Sequence, residues 1–285
     1  MSVLLIPNPT KDTGLAVTRQ AAAVLAGLGV QVLMPQTFAG EGRLAGVQFL
    51  PEADAYRAAD QVVTIGGDGT LLRAGLSCMR HGKPVLGVNL GHLGFLAEVD
   101  RQSVYQALDK LIADDYEIEE RMMLTGTVWH GDKIIGQDIA LNDIVIGREG
   151  PLRVVRFKNY VNDVYLNSYN ADGIIIATPT GSTGYSLSCG GPIVSPNAAM
   201  TLMTPIAPHT LNTRSIIFPE EDVITVELGE GRRQVQEQGL ASFDGDTEIP
   251  IVTGDRIVIQ KASASVKILK LNHLSFVEVL RQKME

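Results

Sequence analysis

Strand-length apolar runs alternate with helix-period segments over the first 114 residues, and beyond about Arg121 only the strand-length runs continue. Val3–Ile6 predicts a first strand, ended by Pro7-Asn8-Pro9. A helix capped by Asp12 or Thr13 runs to about Leu28, where Gly29 stops it, and Val30–Met34 is a second strand. Residues 35–58 carry Gly40, Gly42, Gly46 and Pro51 and read as a less regular, mobile excursion. Val62–Ile65 is a buried β-branched strand, Leu71–His81 a helix, Pro84–Val88 a strand, and Ser103 opens a helix to about Ala113. This alternation predicts an α/β domain with a doubly wound, mainly parallel sheet.

From Leu124 the runs Leu124–His130, Ile134–Ile139, Ile144–Arg148, Val154–Tyr160 and Val164–Leu166 are short and strand-like. The turn signals His130-Gly131-Asp132 and Val161-Asn162-Asp163 separate two pairs of them. Helical periodicity is nearly absent to about Lys270, which predicts an all-β-type domain of layered antiparallel sheets. The tail, Leu271–Met284, fits a strand or a short helix docking back on the first domain. The expected division is therefore residues 1–118 with 268–285 returning to them, and residues 119–267.

Composition narrows the class. The chain has 285 residues, 45% apolar and 20% charged, as in an ordinary globular protein. Twenty-four basic against 32 acidic residues give a net charge of −8, which argues against broad nucleic-acid or anionic-membrane binding. Two cysteines are too few for a disulfide framework; the opening residues lack a charged region and a long apolar run, so no secretory leader is expected, and no apolar run approaches bilayer length. The expected compartment is the cytoplasm. The five histidines show no metal-ligand spacing.

The most informative stretch is Gly66-Gly67-Asp68-Gly69-Thr70, between a buried strand and a helix. That layout aims backbone N–H groups and a helix N-terminus at an anion, and glycine lets the main chain approach a phosphate closely. Asp68 is out of place in a plain phosphate cradle, because a carboxylate there repels phosphate. A hydroxyl awaiting deprotonation, or a metal, resolves the conflict. The combination points to phosphoryl transfer to an alcohol with Asp68 as base; Asp-Gly is also common turn chemistry, and both readings stand at this point.

Two further stretches carry candidate chemistry. In Ala140-Leu141-Asn142-Asp143-Ile144-Val145, Asn142 can donate and accept at once, and Asp143 can accept from a ribose hydroxyl; a β-bulge or hairpin turn is the alternative. The run from Asp172 to Pro192 empties a buried strand into a loop dense in hydroxyls and glycines: Thr178, Thr180, Gly181, Ser182, Thr183, Gly184, Tyr185, Ser186, Ser188. Hydroxyls and N–H groups suit phosphate and ribose oxygens, and Tyr185 offers a ring face or an OH. Gly181-Ser182-Thr183-Gly184 is not the G-x-S-x-G elbow of a hydrolase. Phe243-Asp244-Gly245-Asp246 resembles a hairpin turn, functional only if its two carboxylates face one cleft.

With GGDGT, the turn Asn89–Leu96, the Asn142-Asp143 pair and the Asp172–Pro192 loop in this order, the chain resembles the NAD kinases over nearly its whole length. GGDG alone is shared with lipid kinases and 6-phosphofructokinases; the later loop is the more specific motif. The resemblance implies Mg²⁺-dependent (or other divalent-cation-dependent) transfer of the γ-phosphoryl of ATP, or of polyphosphate, to the adenosine ribose 2′-hydroxyl of NAD. Asp68 then matches the proton acceptor, with Gly66, Gly67, Gly69, Thr70 and Arg73 around it. Asn142 and Asp143 fall on the pair that holds NAD, Arg153 and Asp172 on ligand-touching positions, and Thr180–Ser186 with Ser188 on the loop around the adenosine. Ala207 and His209 lie on a stretch beside the site, and Asp246 on a position whose usual Gln is replaced. Asp143 is one methylene shorter than the usual Glu, and Asn170 stands where a basic residue is frequent. The resemblance also implies a homo-oligomer, a tetramer before a dimer.

Overall fold

A computed structural model describes the chain except residues 41–43, 92–93, 151–153, 211–212, 231–235, 272–274 and 285. It divides into two compact units, Met1–Glu120 with Val266–Glu285, and Arg121–Ser265.

The first unit is built on the strands β1 (Ser2–Pro7), β2 (Gln31–Pro35), β3 (Val47–Leu50), β4 (Gln61–Gly66) and β5 (Val85–Asn89). They lie in the order β3-β2-β1-β4-β5, every pair parallel. The short β6 (Val99–Asp100) and Ile268 near the end of the long strand ending at Lys270 both add to β5 in parallel. Fully buried β-branched and leucine side chains on both faces are what a parallel sheet covered by helices requires. Val3, Leu5, Val63, Ile65 and Val88 share one core with Val17, Ala21 and Leu25 of α1 (Ala16–Gly27) and Val104, Leu108 and Leu111 of α4 (Val104–Ile112). The unit also contains α2 (Glu52–Ala58) and α3 (Asp68–His81).

Three expectations change. The stretch 35–58, expected to be irregular, contains β3 and α2, because Val47–Leu50 pairs with β2 and Ala55 and Tyr56 are buried. Asp12 does cap α1, but from outside its first turn: its carboxylate accepts the N–H groups of Val17 and Thr18, both at 2.9 Å. Helix α3 begins at Asp68, not Leu71, with Gly67 as N-cap, so Asp68 is the first helical residue.

The second unit is antiparallel. One sheet runs β14 (Ile216–Pro219), β13 (Met200–Ile206), β12 (Gly173–Ala177), β9 (Asp143–Arg148), β16 (Gln238–Phe243), β17 (Thr247–Val252). The other contains β11 (Val164–Ala171), β10 (Val155–Val161), β15 (Ile224–Leu228) and the start of β18 (Arg256–Lys270). The hairpin of β7 (Glu117–His130) and β8 (Lys133–Ala140) accompanies them. Ile144, Ile146, Ile174, Ile176 and Phe243 of the first sheet pack with Phe157, Val226 and Ile257 of the second. The β10–β11 turn uses Asn162 and Asp163, both with positive φ, as a two-residue hairpin of matching twist demands. A single-turn helix, α5 (Tyr185–Ser188), interrupts the strands, and the tail forms α6 (Phe276–Met284) in the first unit.

Candidate active site

Strand order reverses between β1 and β4, and the GGDG turn leaves the carboxyl end of β4 at that switch point, where open α/β sheets bind ligands. Asn8, just past β1, donates its backbone N–H to Ile65 O at 2.8 Å and its side-chain amide to Thr70 Oγ1 at 3.2 Å, closing the turn from beside it. A Cβ on Gly66 would lie 2.3 Å from Thr70 Oγ1, so the turn packs this tightly only with glycine. The same construction on Gly67 meets Lys11 Nζ at 2.5 Å, which places an ammonium over the backbone at the N-terminus of α3. Gly69 and Arg73 are exposed on the helix, and Thr70 is half-buried. A groove of about 600 Å³ beside this turn is lined by Asn8, Lys11, Phe38, Tyr56, Thr70 and Arg73 among others.

Asp68 is held by a second loop. Its Oδ2 accepts the N–H of Phe95 at 2.8 Å, and its Oδ1 accepts those of Ala97 at 3.0 Å and Leu96 at 3.3 Å. An ionised carboxylate has about four acceptor positions, so three are filled and the remaining one is on Oδ2. The half-buried side chain is thus fixed in direction with one lone pair to offer.

The second unit repeats the device. Asp244, in the β16–β17 turn, accepts the N–H groups of Leu141 at 2.7 Å, Asn142 at 2.8 Å and Asp143 at 3.0 Å. It thereby shapes the Asn142-Asp143 segment at the start of β9. Asn142, Asp143, Val145, Tyr185, Ser242, Asp244 and Gly245 line a cavity of about 400 Å³. Asp143 is buried, and that burial, reinforced by the Asp244 carboxylate, pushes its pKa up to about 7. Burial also raises Asp244, opposed by its backbone donors.

The hydroxyl-rich loop is ordered by its own hydroxyls. Thr178 Oγ1 donates to Leu141 O at 2.6 Å and accepts the Gly181 N–H at 3.1 Å; Ser182 Oγ donates to Val194 O at 3.2 Å. Ser186 Oγ pairs with Thr204 Oγ1 at 3.0 Å, and Thr180 Oγ1 accepts from Arg121 Nη1 at 3.3 Å. A Cβ on Gly181 would lie 2.0 Å from Asn142 O, so this glycine permits the loop to lie against the Asn142 backbone. The hydroxyls of Thr180, Ser182 and Ser186, expected to suit ligand oxygens, are buried and bonded within the unit. Thr183 and Gly184 are half-buried, Ser188 is exposed, and Tyr185 is 46% exposed with its ring on the cavity.

Other anticipated residues of the second unit do not line this cavity, although the Asp172 charge reaches Tyr185. Asp172 accepts from Arg148 Nε at 2.8 Å, so its carboxylate already has a cation. Exposed His209 donates its N–H to Asn170 O at 2.8 Å, and Ala207 adopts φ +43° ahead of Pro208. Asp246 is exposed in the hairpin turn, whereas its neighbour Asp244 carries the cavity's architecture. Arg153 lies outside the described residues. Sequence reasoning named the Phe243–Asp246 turn and the Asn89–Leu96 turn, but not that Asp244 accepts from Leu141–Asp143, that Ser242 lines the cavity, or that the 95–97 amides donate to Asp68.

Comparison with known proteins agrees with this layout. Residues 3–116 match the model of the ATP-NAD kinase N-terminal domain, and residues 141–271 that of the C-terminal domain. The NAD kinase of Lachnospira eligens is 40% identical over 293 aligned positions, covering 98% of each chain. That of Agathobacter rectalis is 41% identical, covering 99% of this chain and 97% of the relative. Among solved structures, yeast NADH kinase complexed with NADH superposes with a TM-score of 0.86 at 26% identity, over 100% of this chain and 87% of the yeast chain. The Archaeoglobus fulgidus NAD kinase in complex with ATP shares the fold, with a TM-score of 0.76 at 23% identity over 100% and 97% of the two chains. The chain belongs to the ATP-NAD kinase family.

Proposed function

We propose that this chain phosphorylates NAD with ATP, and that the accepting group is the 2′-hydroxyl of the adenosine ribose, deprotonated by Asp68. The observation that carries the assignment is the tethering of Asp68 by the amides of Phe95, Leu96 and Ala97, which leaves one acceptor position on Oδ2. A carboxylate so fixed is suited to take a proton from a bound hydroxyl, a step worth about 10²–10⁴-fold. Most of the remaining acceleration in phosphoryl transfer is positioning and charge stabilisation. In this reading the α3 N-terminus and Lys11 bind the donor phosphates, and Asn142, Asp143 and Tyr185 are among the residues that hold NAD.

A divalent cation, Mg²⁺ in this reading, supplies neutralisation of the negative charge on the donor phosphates. Among the described residues no group of three His, Cys, Asp or Glu could cage an ion. Mg²⁺ commonly keeps several waters and is held through substrate phosphates with one or two carboxylates, so in this reading the donor phosphates carry it. The reading extends to a cytoplasmic homo-oligomer. Among the described residues no helix is long and apolar enough to cross a membrane.

The test is a panel with NAD and NADH as acceptors and Mg²⁺-ATP and polyphosphate as donors, read as NADP or NADPH by a specific dehydrogenase. NADP from NAD and ATP supports the reading, and its loss with EDTA supports the cation. Absence of product from every pair contradicts it.

A further inference from the structure

The residues that hold Asp68 are themselves held. Phe95, whose N–H donates to Asp68 Oδ2, has its ring against Phe276 of α6, with centroids 6.1 Å apart and planes tilted by 41°. Lys283 Nζ, two turns along the same helix, stands 4.6 Å from the centre of the Phe95 ring. That distance is within the range of a cation–π attraction. One aromatic side chain is therefore gripped from both ends of a helix while its backbone grips the carboxylate.

The helix is equipped to form there. At nine residues it is too short to persist alone in water. Ser275 and Glu278 make a capping box: Glu278 Oε2 accepts the Ser275 N–H at 2.7 Å, and Ser275 Oγ accepts the Glu278 N–H at 3.3 Å. Only Val279 of the helix is buried, and Val277 is 70% exposed, so α6 contributes little to the core. Its contacts with Phe95 stand out against that background.

We infer that α6 is a positioning element for catalysis, in which Phe276 and Lys283 fix Phe95 and thereby the direction of the Asp68 carboxylate. The inference rests on the reading of Asp68 as base. Neither residue touches the reacting atoms. Both act through the Phe95 main chain, on a helix that lies far along the sequence from the turn it serves. Displacement of a catalytic group by a fraction of an ångström lowers turnover without removing substrate contacts.

The experiment uses the full chain with Phe276→Ala, Lys283→Ala and Lys283→Arg, and measures kcat and KM for NAD and ATP. We expect kcat to fall about tenfold in both alanine variants, with each KM within about twofold of wild type. Lys283→Arg should restore turnover, since a guanidinium also stacks on an aromatic face. Lys283 is exposed, so its variants fold even where Phe276→Ala does not. A purely structural helix would lower the melting temperature without separating kcat from KM. Unchanged kcat in Lys283→Ala, or KM rising in parallel with the loss of kcat, overturns the inference. If Asp68→Asn also turns over normally, the reading of Asp68 has failed rather than the role of α6 alone.

Discussion

Asp244 accepts the backbone N–H of Asn142 at 2.8 Å across 102 residues of sequence, and both residues line the cavity of about 400 Å³. Asp244→Ala removes the acceptor for Leu141 and Asp143 as well. The variant should lose about 1–3 kcal/mol, the cost of leaving such donors unpaired, and its KM for NAD should rise about tenfold. Thermal denaturation and NAD saturation curves measure both. A wild-type KM in the folded variant would detach Asp244 from the site.

Gly94 is required by contact. A Cβ there would lie 1.8 Å from Asp68 Oδ1, so Gly94→Ala must expel the carboxylate from its three amides. We expect kcat to fall by about 10²-fold, comparable to losing the base. Gly27→Ala, at a helical position with open space, is the control and should match wild type. Equal kcat in the two variants would contradict the placement.

Asp143 gives the protein a pH-dependent stability. Its folded pKa, raised to about 7 by burial and by Asp244, exceeds its unfolded value of 3.8. Between those values the folded state holds a proton that the unfolded state has released. This contribution to stability is therefore complete below about pH 4 and is lost as pH rises towards 7, by on the order of 4 kcal/mol at most. Melting temperatures from pH 5 to 7.5 should fall more steeply for wild type than for Asp143→Asn. Parallel curves would show that Asp143 ionises as it does in the unfolded chain.

Variants of Tyr185 separate two ways in which the proposed site would hold an adenine. If its ring is a stacking face, Tyr185→Phe keeps the wild-type KM for NAD and Tyr185→Ala raises it about tenfold, within the 1–3 kcal/mol of one stacked base. A Phe variant as poor as Ala would assign the contact to the hydroxyl.

What the sequence made legible was local. Glycines between an apolar strand and a helix disclosed the GGDG turn, and strand-length spacing disclosed the antiparallel sheets. What it concealed was pairing at a distance. Nothing near Asp68 indicates that Phe95, Leu96 and Ala97 supply its donors, and Gly94 has an evident purpose only once its hydrogen is seen facing Asp68 Oδ1. The Phe243–Asp246 turn offered two carboxylates without showing which reaches another segment, because an aspartate in a turn looks the same whether it bonds its own turn or a distant one, as Asp244 does. The internal partners of the Ser182 and Ser186 hydroxyls were likewise hidden, because composition cannot distinguish a buried hydroxyl from an exposed one. Residues 35–58 were obscured by their glycines, although Val47–Leu50 needed only a neighbouring strand to become one.

Asp68→Asn tests the central claim most directly. The substitution keeps the shape of the side chain and removes its basicity. NADP formation from NAD and Mg²⁺-ATP should occur in the wild type and fall by at least about 10²-fold in kcat in the variant, with KM for NAD little changed. Turnover within a few-fold of wild type in a folded Asp68→Asn would contradict the account, because the carboxylate fixed by three amides would then have no part in the chemistry.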